Sequence, residues 1–317
     1  MRINKYAEFG TGNTFSHYVA MKIKRNKLLL RYLGILVLLL VHPLLLVAQH
    51  GTDLQQPKED FGEYKGCQFG LNIGLLLPNS YPANYYNGSN GNENNIKYYF
   101  GNYYNYQETK RLLNAADTFF VKQFPTNMRY PPTASVGLFI GFYFNRKSSM
   151  YVQFNYAKLK PHDVFTVEVD PKEYATLPDL RLYTISGVEE RINIDLGYSR
   201  SYPISENMNF VASAGLAIND SKVLKSVINM EGKEYSIINV YGNRTYTPGT
   251  NMQQYQFKEG GIGLGFHGGG GFIFNFANNF ALQPGITLYW NNVHLEGYSE
   301  MKFSSYFYVR IIALNIL

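Results

Sequence analysis

The stretch CQFGLNIGL, residues 67–75, alternates without a break. Cys67, Phe69, Leu71, Ile73 and Leu75 share one side of an extended chain, and Gln68, Gly70, Asn72 and Gly74 the other. A period of two predicts a β-strand with one apolar face. The pattern recurs: Val136, Leu138, Ile140, Phe142 and Phe144 share a side, as do Ile192, Ile194, Leu196 and Tyr198, opposite Arg191, Asn193, Asp195 and Gly197. Strands are predicted at 66–76, 134–144, 149–159, 183–198, 208–218, 261–276, 279–290 and 303–315. Their connections alternate long and short, with long ones at 77–132, 160–182 and 219–260 and a modest one at 291–302. This layout predicts an all-β fold: an eight-stranded antiparallel up-and-down transmembrane β-barrel with long extracellular loops and short periplasmic turns.

Alternation alone also fits a half-buried soluble sheet, so the chemistry of the polar face decides. The segments 134–144, 208–218, 261–276 and 279–290 contain no Lys, Arg, Asp or Glu. Their second face is Gly, Ser, Asn, Gln, Thr and Tyr, residues that suit the crowded lumen of a small barrel better than open water. The apolar side then faces lipid, and closure follows because unpaired backbone in hydrocarbon costs several kcal/mol per group. Phe144, Tyr198, Phe276 and Phe280 would mark a periplasmic girdle, Tyr156 and Trp290 an outer one. Lys158 and Lys160 fall at the outer end of their strand, within reach of headgroups. Pro284 removes one ladder hydrogen bond.

The net charge of +6 suggests an acidic partner until it is located. Residues 1–48 hold seven Lys/Arg and one acid; taking these from the totals of 29 and 23 leaves 22 of each. A neutral remainder gives nucleic acid no electrostatic footing. The basic run Met21–Lys27, the apolar run Leu28–Val47 and Ala48 before Gln49 have the layout of a signal peptide. The expected organisation is a leader over 1–48, with Met21 as the start, a flexible lead-in over 49–65 and the barrel over 66–317. An uncleaved helical anchor is the alternative. Cys67 is the only cysteine, so no intrachain disulfide forms. Its place on the apolar side makes it a small hydrophobe.

The lumen carries the candidate polar network: Asn72, Gln153, Asn155, Glu189, Arg191, Asp195, His267, Gln283 and Arg310. Buried Arg191 and Arg310 need partners, and Asp195 and Glu189 are the nearest acids by strand counting. The plain reading is a polar plug that locks the barrel; the functional one is a gate or proton path. His267 among glycines reads as a hydrogen-bonded filler. A lipid hydrolase or acyltransferase would need Ser and His in mutual reach, and no Ser/His/acid set has identifiable spacing. His162 and His294 are too isolated for a metal site. The Gly run 268–271 lacks the Lys-Ser/Thr ending of a phosphate loop. No catalytic residue, cofactor or metal is expected. In the Tyr- and Asn-rich segment 77–132, residues 108–124 are expected to form a helix with Leu112, Leu113, Ala116 and Phe120 on one face; the plain reading is packing against neighbouring loops, the functional one covering the mouth or docking a partner. Asn87-Gly88-Ser89 and Asn243-Arg244-Thr245 match a glycosylation pattern by chance.

From Gly66 onward the chain resembles the PorT-like outer-membrane β-barrel family, on GVEERINIDLGYSR (187–200) and GGGGFIFNFANNFALQPGITLYW (268–290). It departs from the family in lacking a proline inside the first motif and in ending Asn315-Ile316-Leu317 instead of on an aromatic. The resemblance implies an eight-stranded barrel in the bacterial outer membrane, and some relatives serve protein secretion. The expected role is therefore non-enzymatic: surface binding, or support of secretion or envelope assembly. The expected partners are outer-membrane lipid and proteins of those machineries. An outer-leaflet lipid-modifying enzyme, a small passive pore and a soluble exported sandwich stay open as alternatives.

Overall fold

A computed structural model describes residues 66–145, 147–170, 179–205, 207–238, 259–277 and 280–313. The leader, the lead-in, the motif at Asn243 and the last four residues lie outside them.

Eight strands close into an antiparallel barrel: β1 (Gly66–Leu77), β3 (Thr133–Asn145), β4 (Ser148–Leu159), β6 (Asp179–Ser205), β7 (Met208–Met230), β9 (Gly260–Ala277), β10 (Phe280–Asn291) and β11 (Lys302–Ala313). The order is β6-β4-β3-β1-β11-β10-β9-β7, and β7 pairs back onto β6. The stagger can be read from the partners. Stepping round once, Gly66 leads through Tyr143, Ser149, Ser199, Ser213, Gly269, Thr287 and Tyr306 back to Leu76, ten residues further along β1. With a rise of about 3.4 Å per residue and about 4.8 Å between strands, that offset tilts the strands by roughly 40°.

The faces separate as the alternation demands. Leu71, Ile73, Val136, Leu138, Leu264, Phe266 and Leu288 point outward and are more than half exposed or nearly so. Phe276 and Phe280 stack at 6.5 Å at one end, and Trp290 stacks on both Phe266 and Phe303 at 6.3 Å at the other. Pro284 keeps its place opposite Val309 of β11, but the ladder to β9 lapses between Leu282 and Gly285. A missing N–H on one edge accounts for the lapse.

Two strands overrun the barrel. β6 has 27 residues and β7 has 23, and their far halves stay paired with each other as far as Thr184 and Asn229. Three short strands continue this sheet: β5 (His162–Val169) on β6, β2 (Phe119–Gln123) on β5, and β8 (Lys233–Ser236) on β7. The long polar connections expected at 160–182 and 219–260 therefore begin as sheet. The β5 sequence HDVFTVEV explains its share: Phe165, Val167 and Val169 are buried on one face.

The helix expected over 108–124 is replaced by something shorter and earlier. Helix α1 spans Ile96–Phe100 and α2 spans Tyr103–Leu112. The Asn102 side chain caps α2 by accepting from the N–H groups of Tyr104 and Asn105. The helix stops at Asn114, whose φ of 54° is left-handed. Beyond it the β-formers Phe119, Phe120 and Val121 pair with β5 instead. Phe119 is buried and stacks on Tyr106 at 4.6 Å, whereas Ala116 and Phe120 are exposed. The main apolar core lies at this end, among Ile96, Leu113, Met128, Leu159, Phe165, Ile185 and Ile228. The molecule is thus apolar outside and polar inside along the barrel, with an ordinary core above it.

Candidate functional site: the lumen and its capped mouth

All nine residues of the candidate network are buried and point inward. They form two groups, not one.

The lower group centres on Arg310. Its Nε donates to Asn72 Oδ1 at 2.7 Å and its Nη1 to Gln283 Oε1 at 2.9 Å, and its Nη2 donates to Gln153 Oε1. The guanidinium also lies 3.7 Å from the centre of the Phe139 ring and 4.9 Å from that of Tyr308. Strand register explains the set, because Arg310 is directly opposite Asn72 on β1 and Gln283 on β10. Asn72 in turn donates to Asn155 Oδ1 at 3.2 Å. The expected carboxylate partner is not the one used. Asp195 accepts from Tyr289 at 2.7 Å and from Gln153 at 3.3 Å instead. Arg310 is held by amide dipoles and aromatic faces, which satisfy its donors without a counter-ion. His267 Nε2 lies 2.6 Å from the Tyr151 hydroxyl. The cavity left among these side chains is about 20 Å³, room for about one water.

The upper group sits at the mouth. Arg191 donates twice to Glu189 Oε1, at 3.0 Å from Nε and 2.5 Å from Nη2. Glu189 Oε2 accepts from Tyr130 at 2.6 Å and Tyr86 at 3.2 Å. The carboxylate is fully buried, and every one of its contacts is a donor. Tyr86 comes from a 3-10 helix (Tyr81–Tyr86) and Tyr130 from the approach to β3, so the cap reaches down to meet the barrel. Gly187 permits this: a Cβ there would stand 2.2 Å from the Tyr86 ring. Burial first, and then the Glu189 charge, push the Tyr86 and Tyr130 hydroxyls well above the usual phenol range.

A third cluster lies above. Tyr85 stands edge-on to Tyr86 at 5.1 Å. Its hydroxyl is 2.9 Å from Glu93 Oε2 and 3.0 Å from Glu259 Oε2, and Asn94 donates to Glu259 at 2.6 Å. One phenol proton cannot serve two carboxylates at once. Burial raises the pKa of both Glu93 and Glu259 above the usual carboxylate value, and Glu93 adds repulsion at Glu259. Strand periodicity located the lumen residues but could not find Tyr85 and Tyr86 of the 3-10 helix, Tyr130 of a loop or Glu259 beside a strand end. The Tyr enrichment of 77–132 is the trace the three tyrosines leave, and Glu259 leaves none.

Among the described residues no group of three or more His, Cys, Asp or Glu could hold a metal. Most of the polar side chains here bond to one another, as in a plug, while Asn155 Nδ2, Asp195 Oδ1, His267 Nδ1 and Glu259 Oε1 have no hydrogen-bond partner among the described residues.

No protein-family model matches the chain, and no curated protein matches it in sequence. Solved structures similar to it include Neisserial surface protein A, at 6% identity and a TM-score of 0.38 over 78% of this chain and 96% of that one. Ail, the attachment invasion locus protein of Yersinia pestis, has 10% identity and a TM-score of 0.31 over 79% and 98%. The outer membrane protein OprG from Pseudomonas aeruginosa has 9% and 0.35 over 80% and 95%.

Proposed function

We propose that the protein resides in the bacterial outer membrane and acts there without enzymatic chemistry, by binding at its outer face. In this reading the partners are proteins of secretion or envelope assembly, the role that the PorT-like resemblance suggests. The carrying observation is a plugged barrel whose two longest strands continue beyond the apolar band. They build a wall whose outward side exposes Phe120, Val164, Leu180 and Leu182. Exposed apolar side chains grouped on one face are a common mark of interaction sites. The apolar outer belt, flanked by aromatic residues at both ends, supports the membrane location.

A photo-crosslinker placed at Leu182 in intact cells tests this. Capture of secretion or envelope-assembly components supports the role. A wall that captures nothing while the barrel is properly inserted sinks the surface-binding reading. Loss of a lipid modification in a deletion strain would instead favour the outer-leaflet enzyme.

A further inference from the structure

Leu77, Ser305 and Leu288 are cross-strand partners on β1, β11 and β10, and all three lie on the outward face. Ser305 is therefore a dip between two leucines. One step higher, exposed Phe303 stacks on Trp290 of the outer aromatic girdle. Above the dip, the segments that follow β1 and precede β3 border an open surface groove of about 430 Å³. An open groove at the rim of the outer face suits a lipid lying along the barrel better than a small molecule that must be engulfed.

The segment after β1 is pinned. Asn79 Nδ2 donates to the Phe303 carbonyl at 3.0 Å, and Asn79 Oδ1 accepts from the Tyr81 N–H at 2.8 Å. Arg129 lines the upper end, is exposed, and makes no ion pair among the described residues. The groove lining contains no Asp or Glu. Nearby Lys302 is already engaged, 2.7 Å from Glu300 and over the Tyr81 ring. The site thus has an apolar lower half level with the belt and, at its upper, water-facing end, a guanidinium with no ion pair among the described residues. Guanidinium recognises phosphate by paired hydrogen bonds as well as by charge.

We propose that this groove holds one anionic, phosphate-bearing lipid of the outer leaflet. Its acyl chain lies over Ser305 between Leu77 and Leu288, and its phosphate meets Arg129. The proposal rests on the outer-membrane reading above.

The test uses the full chain in nanodiscs of phosphatidylcholine with a minor share of phosphatidylglycerol of the same chains. Native mass spectrometry reads the lipids retained on release. Preferential retention of one phosphatidylglycerol is expected. Arg129→Gln, at an exposed side chain, should lower that preference roughly five-fold. Ser305→Phe, which fills the dip on the outer surface, should lose the retained lipid. Inserted protein that retains no lipid preferentially overturns the proposal, as does a preference unchanged in Arg129→Gln. Displacement of the lipid by inorganic phosphate would assign the site to a free anion and overturn it too. Failure of the protein to enter the nanodiscs would instead overturn the membrane reading, and the lipid site with it.

Discussion

Arg310 lies in a lumen where, among the described residues, no carboxylate forms an ion pair with it. Its three donor nitrogens meet three side-chain amide oxygens, so removing it strands all three at once. Arg310→Met should lower barrel stability by roughly 2–4 kcal/mol, since buried acceptors left unmatched cost about 1–3 kcal/mol each and partial relaxation recovers some. Heat-modifiable gel migration and the midpoint of denaturant unfolding read this, and an unchanged midpoint would refute it. Tyr130→Phe removes the shorter of two phenol bonds to Glu189 and should cost about 2 kcal/mol, the range of hydrogen bonds to charged groups. Gly187→Val tests the seat of the cap, because its side chain must displace the Tyr86 ring. A drop in protection of the cap, with the barrel strands unaffected, is expected by hydrogen exchange. Much of this residue-level detail was legible in the sequence, because strict alternation puts Asn72, Gln153, Asp195 and Arg310 on one face. Which acceptor Arg310 takes was not legible. Counting along strands gives depth, but the partner depends on the stagger between strands, which no single strand encodes.

Among the elements, the eight barrel strands follow from the two-residue period, because one-sided burial fixes every side chain's face. The pieces above the rim follow no such rule. β5 is eight residues and β2 five, too short for periodicity to separate them from loop or helix. The expected helix over 108–124 shows why: Leu112, Leu113, Ala116 and Phe120 have helical spacing, but Phe119–Gln123 gains more by completing a sheet edge beside β5. The cap also carries a pH response whose sign can be worked out. Glu93 and Glu259 have pKa values raised above the ordinary 4.5, so the folded cap binds protons more tightly than the unfolded chain. Their stabilising contribution is complete below about 4.5 and fades as pH rises through the raised values. Hydrogen-exchange protection of residues 81–96, referenced to intrinsic rates, should be greater at pH 4.5 than at pH 7. Glu259→Gln, a neutral mimic, should flatten that dependence. Greater protection at neutral pH would contradict the assignment.

At the largest scale, the described residues from Gly66 onward form a filled cylinder with strands that extend beyond one rim on one side. The lumen leaves about 20 Å³ beside Arg310, and the Tyr86, Tyr130, Glu189 and Arg191 cluster sits above it. Planar-bilayer recordings should therefore show no stable ion conductance, and steady channels would refute the plug. The wall grows from β6 and β7 alone, while the groove at Ser305 lies on β1, β10 and β11, across the barrel. The proposed lipid and the proposed protein partner would consequently not compete for the same face. The pairing of β1 with β11 has a further consequence for biogenesis. The seam of the cylinder joins the first strand made to the last, so a nascent chain cannot zip shut until Lys302–Ala313 has been synthesised. Until that strand arrives, β1 and β10 each keep one edge whose backbone N–H and C=O groups have no partner.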